Sequence, residues 1–149
     1  MKRFFLVIHL FLFIASFANG QEKSDSLKGP HIIFEKLHHD FGDVLQGEEV
    51  SISFKFTNTG SDSLAIFNAL STCSCTPVIR DTSKKYAPGE SGEIIVIFKT
   101  KDKEGIQHKV VTVFSNAVNV KSGLSRLSIR VNVIPRKTNS GSPDNSKKK

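Results

Sequence analysis

The chain has 149 residues, of which 38% are hydrophobic and 23% charged, with a formal net charge of +7. That length holds one ordinary domain, and that composition excludes both a disordered chain and a protein of many membrane spans. Two cysteines exclude a disulfide-dense scaffold, so folding has to rest on an apolar core.

Residues 1–20 read as a secretory signal peptide. Lys2 and Arg3 form a basic start, and an apolar run follows from Phe4 to Ala18, interrupted by His9 and Ser16. Small residues (Ser16, Ala18, Gly20) occupy cleavage-type positions. The run is short of the roughly 20 residues a helix needs to cross a bilayer. An uncleaved anchor is the second reading. No cysteine follows the cleavage region directly, which argues against a lipid-anchored leader. After signal removal no second long apolar run follows, so no transmembrane segment is expected. Residues 21–29 read as a linker.

The next segment reads as strands. Ile32-Ile33-Phe34 and Phe41-Gly42-Asp43-Val44 suggest a strand broken by the polar His38-His39-Asp40. In Glu48–Thr57, Val50, Ile52, Phe54 and Phe56 alternate with Ser51, Ser53, Lys55 and Thr57, the pattern of a half-buried strand. Asn58-Thr59-Gly60 and Ser61-Asp62 supply turn chemistry. Leu64–Phe67 is a short apolar run, and a further short strand is expected near Val78–Arg80.

Pro88-Gly89-Glu90 marks a turn ahead of Ser91–Thr100, which contains Ile94-Ile95-Val96-Ile97-Phe98. Five consecutive apolar residues suit a strand covered on both faces. His108–Asn116 is another β-branched run. In Leu124–Ile134, Leu127, Ile129, Val131 and Val133 line one face, and Pro135 ends the strand by lacking a ladder donor. No apolar 3.6-residue period persists over three turns, so no substantial helix is expected.

Seven short strands over residues 30–135 predict an all-β fold, an antiparallel immunoglobulin-like β-sandwich. The chain has no Trp, so the core has to be aliphatic plus Phe, with Phe34, Phe54, Phe56, Phe67, Phe98 and Phe114 as candidates. Residues 136–149 read as a disordered basic tail, in which Arg136, Lys137 and Lys147–Lys149 face only Asp144. Residues 30–134 hold 12 Lys and Arg against 11 Asp and Glu. The high pI therefore describes the ends of the chain. Nucleic-acid binding needs a basic stripe on the folded part, and none is legible. A second reading of the tail is attraction to an anionic envelope surface.

Several segments together resemble the bacterial family known as domain of unknown function 1573. They are Phe41-Gly42-Asp43-Val44 with Gly47-Glu48, Phe54-Lys55-Phe56-Thr57-Asn58-Thr59-Gly60, and Ser71-Thr72-Cys73-Ser74-Cys75-Thr76. Pro88-Gly89-Glu90, Ile94–Phe98 and Lys109 to Ser115-Asn116 follow in order. The resemblance covers about residues 37–133. It implies an exported or envelope-associated protein with an immunoglobulin-like domain, akin to domains of ciliary and centrosomal scaffold proteins. It implies no catalytic residue. The family usually carries Gly between its two cysteines, where this chain has Ser74.

Cys73-Ser74-Cys75 is the one chemically sharp motif. In an extended segment both side chains share a face, with Cα atoms about 6.6–6.8 Å apart, the outer limit for a disulfide. A bridge between Cys73 and Cys75 needs a bend; an oxidising compartment favours a disulfide, local or intermolecular, as the first reading. Free thiols rank second. Third is a copper or zinc site, recruiting at least one of His31, His38, His39 or His108. His38 and His39 are adjacent in a strand, so they face opposite ways and suit one metal poorly. No hydrolase elbow, zinc-protease helix motif or phosphate loop is present.

The expectation is therefore a non-enzymatic exported protein of the periplasm, outer envelope or exterior, without cofactor. It interacts with another envelope or extracellular protein and with no nucleic acid. The alternative is a thiol-based or copper/zinc-binding protein using Cys73 and Cys75.

Overall fold

A computed structural model describes residues 28–136. The expected signal peptide, most of the linker and nearly all of the basic tail lie outside those residues. Nine strands form two sheets: β1 (Ile32–Phe34), β2 (His38–Leu45), β3 (Glu49–Asn58), β4 (Leu64–Ser71), β5 (Val78–Ile79), β6 (Lys85–Tyr86), β7 (Ser91–Lys99), β8 (Gly105–Ser115) and β9 (Leu124–Ile134). One sheet has the order β1-β3-β7-β5, the other β2-β9-β8-β4-β6. A 3-10 turn at Lys121–Gly123 leads into β9, and the described residues contain no α-helix. The sandwich predicted from strand patterning is the fold observed.

The core is where the alternating faces meet. Phe54 and Phe56 of β3 stand opposite Ile94 and Gly92 of β7 and are fully buried. From the other sheet come Ile66, Val111, Val113, Leu127, Ile129, Val131 and Val133. Each such side chain contributes about 1.5–3 kcal/mol of transfer free energy. A Cβ at Gly92 would run into the rings of Phe56 and Tyr86, so this position has to stay small.

The Ile94–Phe98 run is less covered than its composition implies. Ile94, Val96 and Phe98 are buried, but Ile95 and Ile97 on the outer face are only half covered. The neighbouring β5 is two residues long and cannot shield more than part of them.

Three details depart from the sequence reading. His38-His39-Asp40 does not break a strand; it is the first half of β2. The ladder with β9 pairs His38 with Ser128 and Asp40 with Arg130, so the polar side chains sit on the wet face while the main chain stays paired. The interruption falls at Glu35–Leu37, where the chain passes from one sheet to the other. Because it does so without reversing, β2 runs parallel to β9, the one parallel pair in the sandwich.

Phe67 is not core; it is 61% exposed. Alternation after the buried Leu64 and Ile66 turns its ring outward, and a bulge between Ile66 and Asn68 then brings Ala69 back to the core face. The place of Phe67 is filled by Tyr86 of the unforeseen β6, buried edge-on against Phe56 at 4.9 Å between centroids. Phe34 is half-buried against the core, whereas Phe114, between the inward-facing Val113 and Ser115, lies on the outer face of β8 and is not core.

Candidate functional site

Three places gather the functional candidates: the cysteine turn, the polar outer face of β2 and β9, and a groove beside β1.

The cysteine turn follows β4 directly. Ser71 Oγ accepts from the Cys73 N–H, and the Thr76 N–H donates to the Cys73 carbonyl at 3.1 Å. The Lys99 N–H donates to the Cys75 carbonyl at 3.0 Å, tying the turn to the end of β7. This bend brings the two Cα atoms to 5.2 Å, inside disulfide range, and the structure joins Cys73 to Cys75. Ser74 is not among the residues of positive φ, so the turn closes without the conformation a glycine supplies.

With both sulfurs in the bond, neither cysteine is free. Among the described residues no three His, Cys, Asp or Glu side chains gather as a metal site. The four histidines among the described residues are dispersed. His31 is buried ahead of β1, His38 and His39 stand on β2, and His108 stands on β8 opposite Arg130. The copper/zinc or thiol alternative therefore finds no support in the arrangement.

The outer face of β2 and β9 is a polar ladder. His38 Nδ1 and Ser128 Oγ share a hydrogen bond of 2.5 Å, Arg130 donates to Asp40 at 2.7 Å, and Asn132 donates to Asp43 at 2.7 Å. His39 faces the other way, its ring edge-on to Phe41 at 4.5 Å. Burial, then the charge of Lys36, lowers the imidazole pKa of His39. The Gly42 N–H, and after it the Arg130 guanidinium, hold the Asp40 carboxyl below the usual aspartate range. The contribution of this contact is present above the unfolded carboxyl's pKa and fades as pH falls through the lower folded value.

Arg130→Gln is expected to raise the Asp40 midpoint in a carboxyl-carbon NMR titration. It should stay below that of an unfolded aspartate, because the Gly42 N–H remains. A midpoint that does not move removes Arg130 as a cause. Both side chains are substantially solvated, so the stability of the fold should barely respond.

The groove lies between β1 and the start of β9 and encloses about 860 Å³. Ile33, Phe34, Leu37 and Leu124 make its apolar lining, and its two charged lining residues are Lys121 and Arg126. Asn119 caps the first part of the β1 edge: its amide accepts from the Ile32 N–H and donates to the Ile32 carbonyl, both at 2.9 Å. Strand alternation turns the peptide groups of Phe34 to the same edge. On the opposite side, the Ser128 N–H donates to the Leu37 carbonyl at 2.8 Å, where pairing of β9 with β2 begins. Alternation puts the peptide groups of Arg126 on that same edge, one step before β2 starts. Ser125 also lines the groove. It is 7% exposed, and its Oγ is buried without a hydrogen-bond partner.

Sequence reasoning did not find this groove. Asn119 and Ser125 look like ordinary loop and strand residues, and no local pattern shows that the β1 to β2 crossing leaves a strand edge open.

The profile of the family described as "Protein of unknown function (DUF1573)" matches residues 32–133. None of the curated proteins matches the sequence. A protein of unknown function from Porphyromonas gingivalis W83 superposes with a TM-score of 0.60 at 12% identity, covering 76% of this chain and 51% of that one. This chain thus spans about half of that protein's length. The ASH / PapD-like domain 7 of human CEP192 superposes at 0.57 with 10% identity, over 71% of this chain and 87% of that one. The periplasmic chaperone SfaE superposes at 0.52 with 9% identity, over 69% and 59%. At such identities the likeness concerns the fold.

Proposed function

The chain belongs to the family described as proteins of unknown function DUF1573, whose profile spans its sandwich, and from that premise we propose a non-enzymatic protein-interaction module exported to the cell envelope or exterior. The observation that carries this reading is the placing of exposed apolar side chains on open strand edges. Ile33 is 52% exposed on the edge strand β1, and Leu37 is 44% exposed where the chain leaves it. Phe67 and Leu70 are 61% and 51% exposed on β4, which β6 covers only at Leu64 and Ala65. Sandwiches bind partners by adding a strand at such an edge. The leader pattern of residues 1–20 supports export, and among the described residues no helix is long and apolar enough to cross a membrane.

Capture of the tagged, full-length protein from detergent-solubilised envelope tests the reading. One protein recovered in near-stoichiometric amount, and reduced by Leu70→Lys or Leu37→Lys, is the expected result. Undiminished recovery with both substitutions, or turnover of a small substrate by the purified protein, overturns it. Alkylation of the same material without reductant is expected to add no mass at Cys73 or Cys75, as bonded sulfurs require.

A further inference from the structure

The geometry points to the groove between β1 and β9 as the seat of an extended segment from another envelope protein, with apolar side chains at alternate positions and a carboxylate among them. This rests on the interaction reading above and deepens it by naming the surface and the chemistry of the partner.

Three independent features select that occupant. The first is the main chain. By alternation from Ile32 and Ser128, the peptide groups of Phe34 and Arg126 turn to the strand edges that border the groove, which suits a ligand offering main-chain donors and acceptors in strand geometry. The second is the lining. Ile33, Phe34, Leu37 and Leu124 give it an apolar surface, and the apolar side chains of a strand recur at every second residue.

The third is charge. Lys121 and Arg126 line the groove and no acidic residue does, so a carboxylate on the incoming segment is attracted and a cation repelled. Once the leader of residues 1–20 is removed, the chain's own termini fit poorly. Residues 21–27 contain one large apolar residue, Leu27. Residues 137–149 contain none, and their lysines share the sign of the groove.

A display library of random decapeptides, panned on the full-length protein, tests this. The enriched sequences are expected to alternate apolar residues and to contain Asp or Glu. A synthetic peptide of the enriched type should perturb the NMR amide signals of Leu124 and Arg126. It should bind at least tenfold more weakly to Lys121→Glu/Arg126→Glu. Both side chains are exposed, so this variant is expected to fold; Leu37→Asp provides a second route to the same loss.

Absence of enrichment, equal binding to both variants, or amide shifts confined to β4 overturn the proposal. So does displacement of the peptide by a synthetic copy of residues 21–27, or concentration-dependent occupation of the groove by a second copy. An envelope partner that is captured equally by wild type and by Lys121→Glu/Arg126→Glu, but lost with Leu70→Lys, sinks the groove and leaves the interaction reading standing.

Discussion

Asn58→Ala is expected to destabilise the domain by about 4 kcal/mol, well above an ordinary polar substitution. Asn58 is fully buried. Its Oδ1 accepts from the N–H groups of His31 at 3.2 Å and Gly60 at 3.1 Å. Its Nδ2 donates to the carbonyls of Asp62 at 2.8 Å and Tyr86 at 2.9 Å. An asparagine amide offers two donors and two acceptor lone pairs, and all four are used.

The side chain thus pins the segment ahead of β1, the turn after β3 and the β6 strand to one point. Alanine leaves four main-chain groups without that partner. A buried group left unsatisfied costs about 1–3 kcal/mol, and water reaching the turn offsets part of the sum. Urea unfolding should show a lower midpoint with an unchanged slope.

Asn58→Asp separates shape from hydrogen bonding. The carboxylate keeps the outline but directs an acceptor at the carbonyls of Asp62 and Tyr86. Burial and those carbonyls favour the protonated acid, which raises the folded-state pKa of the introduced carboxyl. The destabilisation is therefore largest above that raised value and shrinks as pH falls through it. A loss below about 1 kcal/mol for alanine, or a loss for aspartate that deepens on acidification from neutral pH, refutes the pinning role.

Phe56→Ala is expected to cost about 3–5 kcal/mol, the range for deleting a fully buried aromatic. The ring is 5.6 Å from Phe34 and 4.9 Å from Tyr86 between centroids, and Gly92 leaves the space it fills. The loss combines transfer free energy with a cavity that backbone-locked strands close poorly. Phe67→Ala is the matched control. Its ring is 61% exposed, so the change should stay within about 0.5 kcal/mol. Unfolding midpoints of the two variants in urea measure the contrast. Equal losses would show that Phe67 does not face away from the core.

The same contrast shows where sequence patterning works. β9 begins and ends where alternation and Pro135 placed it, at Leu124 and Ile134. β3 buries Phe54 and Phe56 as its period of two requires. In these strands one face meets the opposite sheet along the whole length, so burial writes itself into residue order. The turn chemistry of Asn58-Thr59-Gly60 was legible as a turn, but the role of Asn58 as a buried four-way link was not. Its partners lie 27 and 28 residues away at His31 and Tyr86, beyond any local pattern. The cysteine pair was legible as a disulfide candidate, but only the bend after β4 brought the Cα atoms within range.

From the order of residues alone came the two-sheet class, the family, the alternating core of β3 and β9 and, for the described residues, the absence of a long helix. The family rests on the resemblance of motifs in their order; the others follow from local periodicity, because a pleated strand must present every second side chain to the same side. Only tertiary structure decided that β2 runs parallel to β9, that Tyr86 replaces Phe67 in the core, and that the β1 to β2 crossing opens an apolar groove with two cations. Each of those depends on which distant main-chain groups find one another, and pairing energy carries no mark in the neighbouring residues.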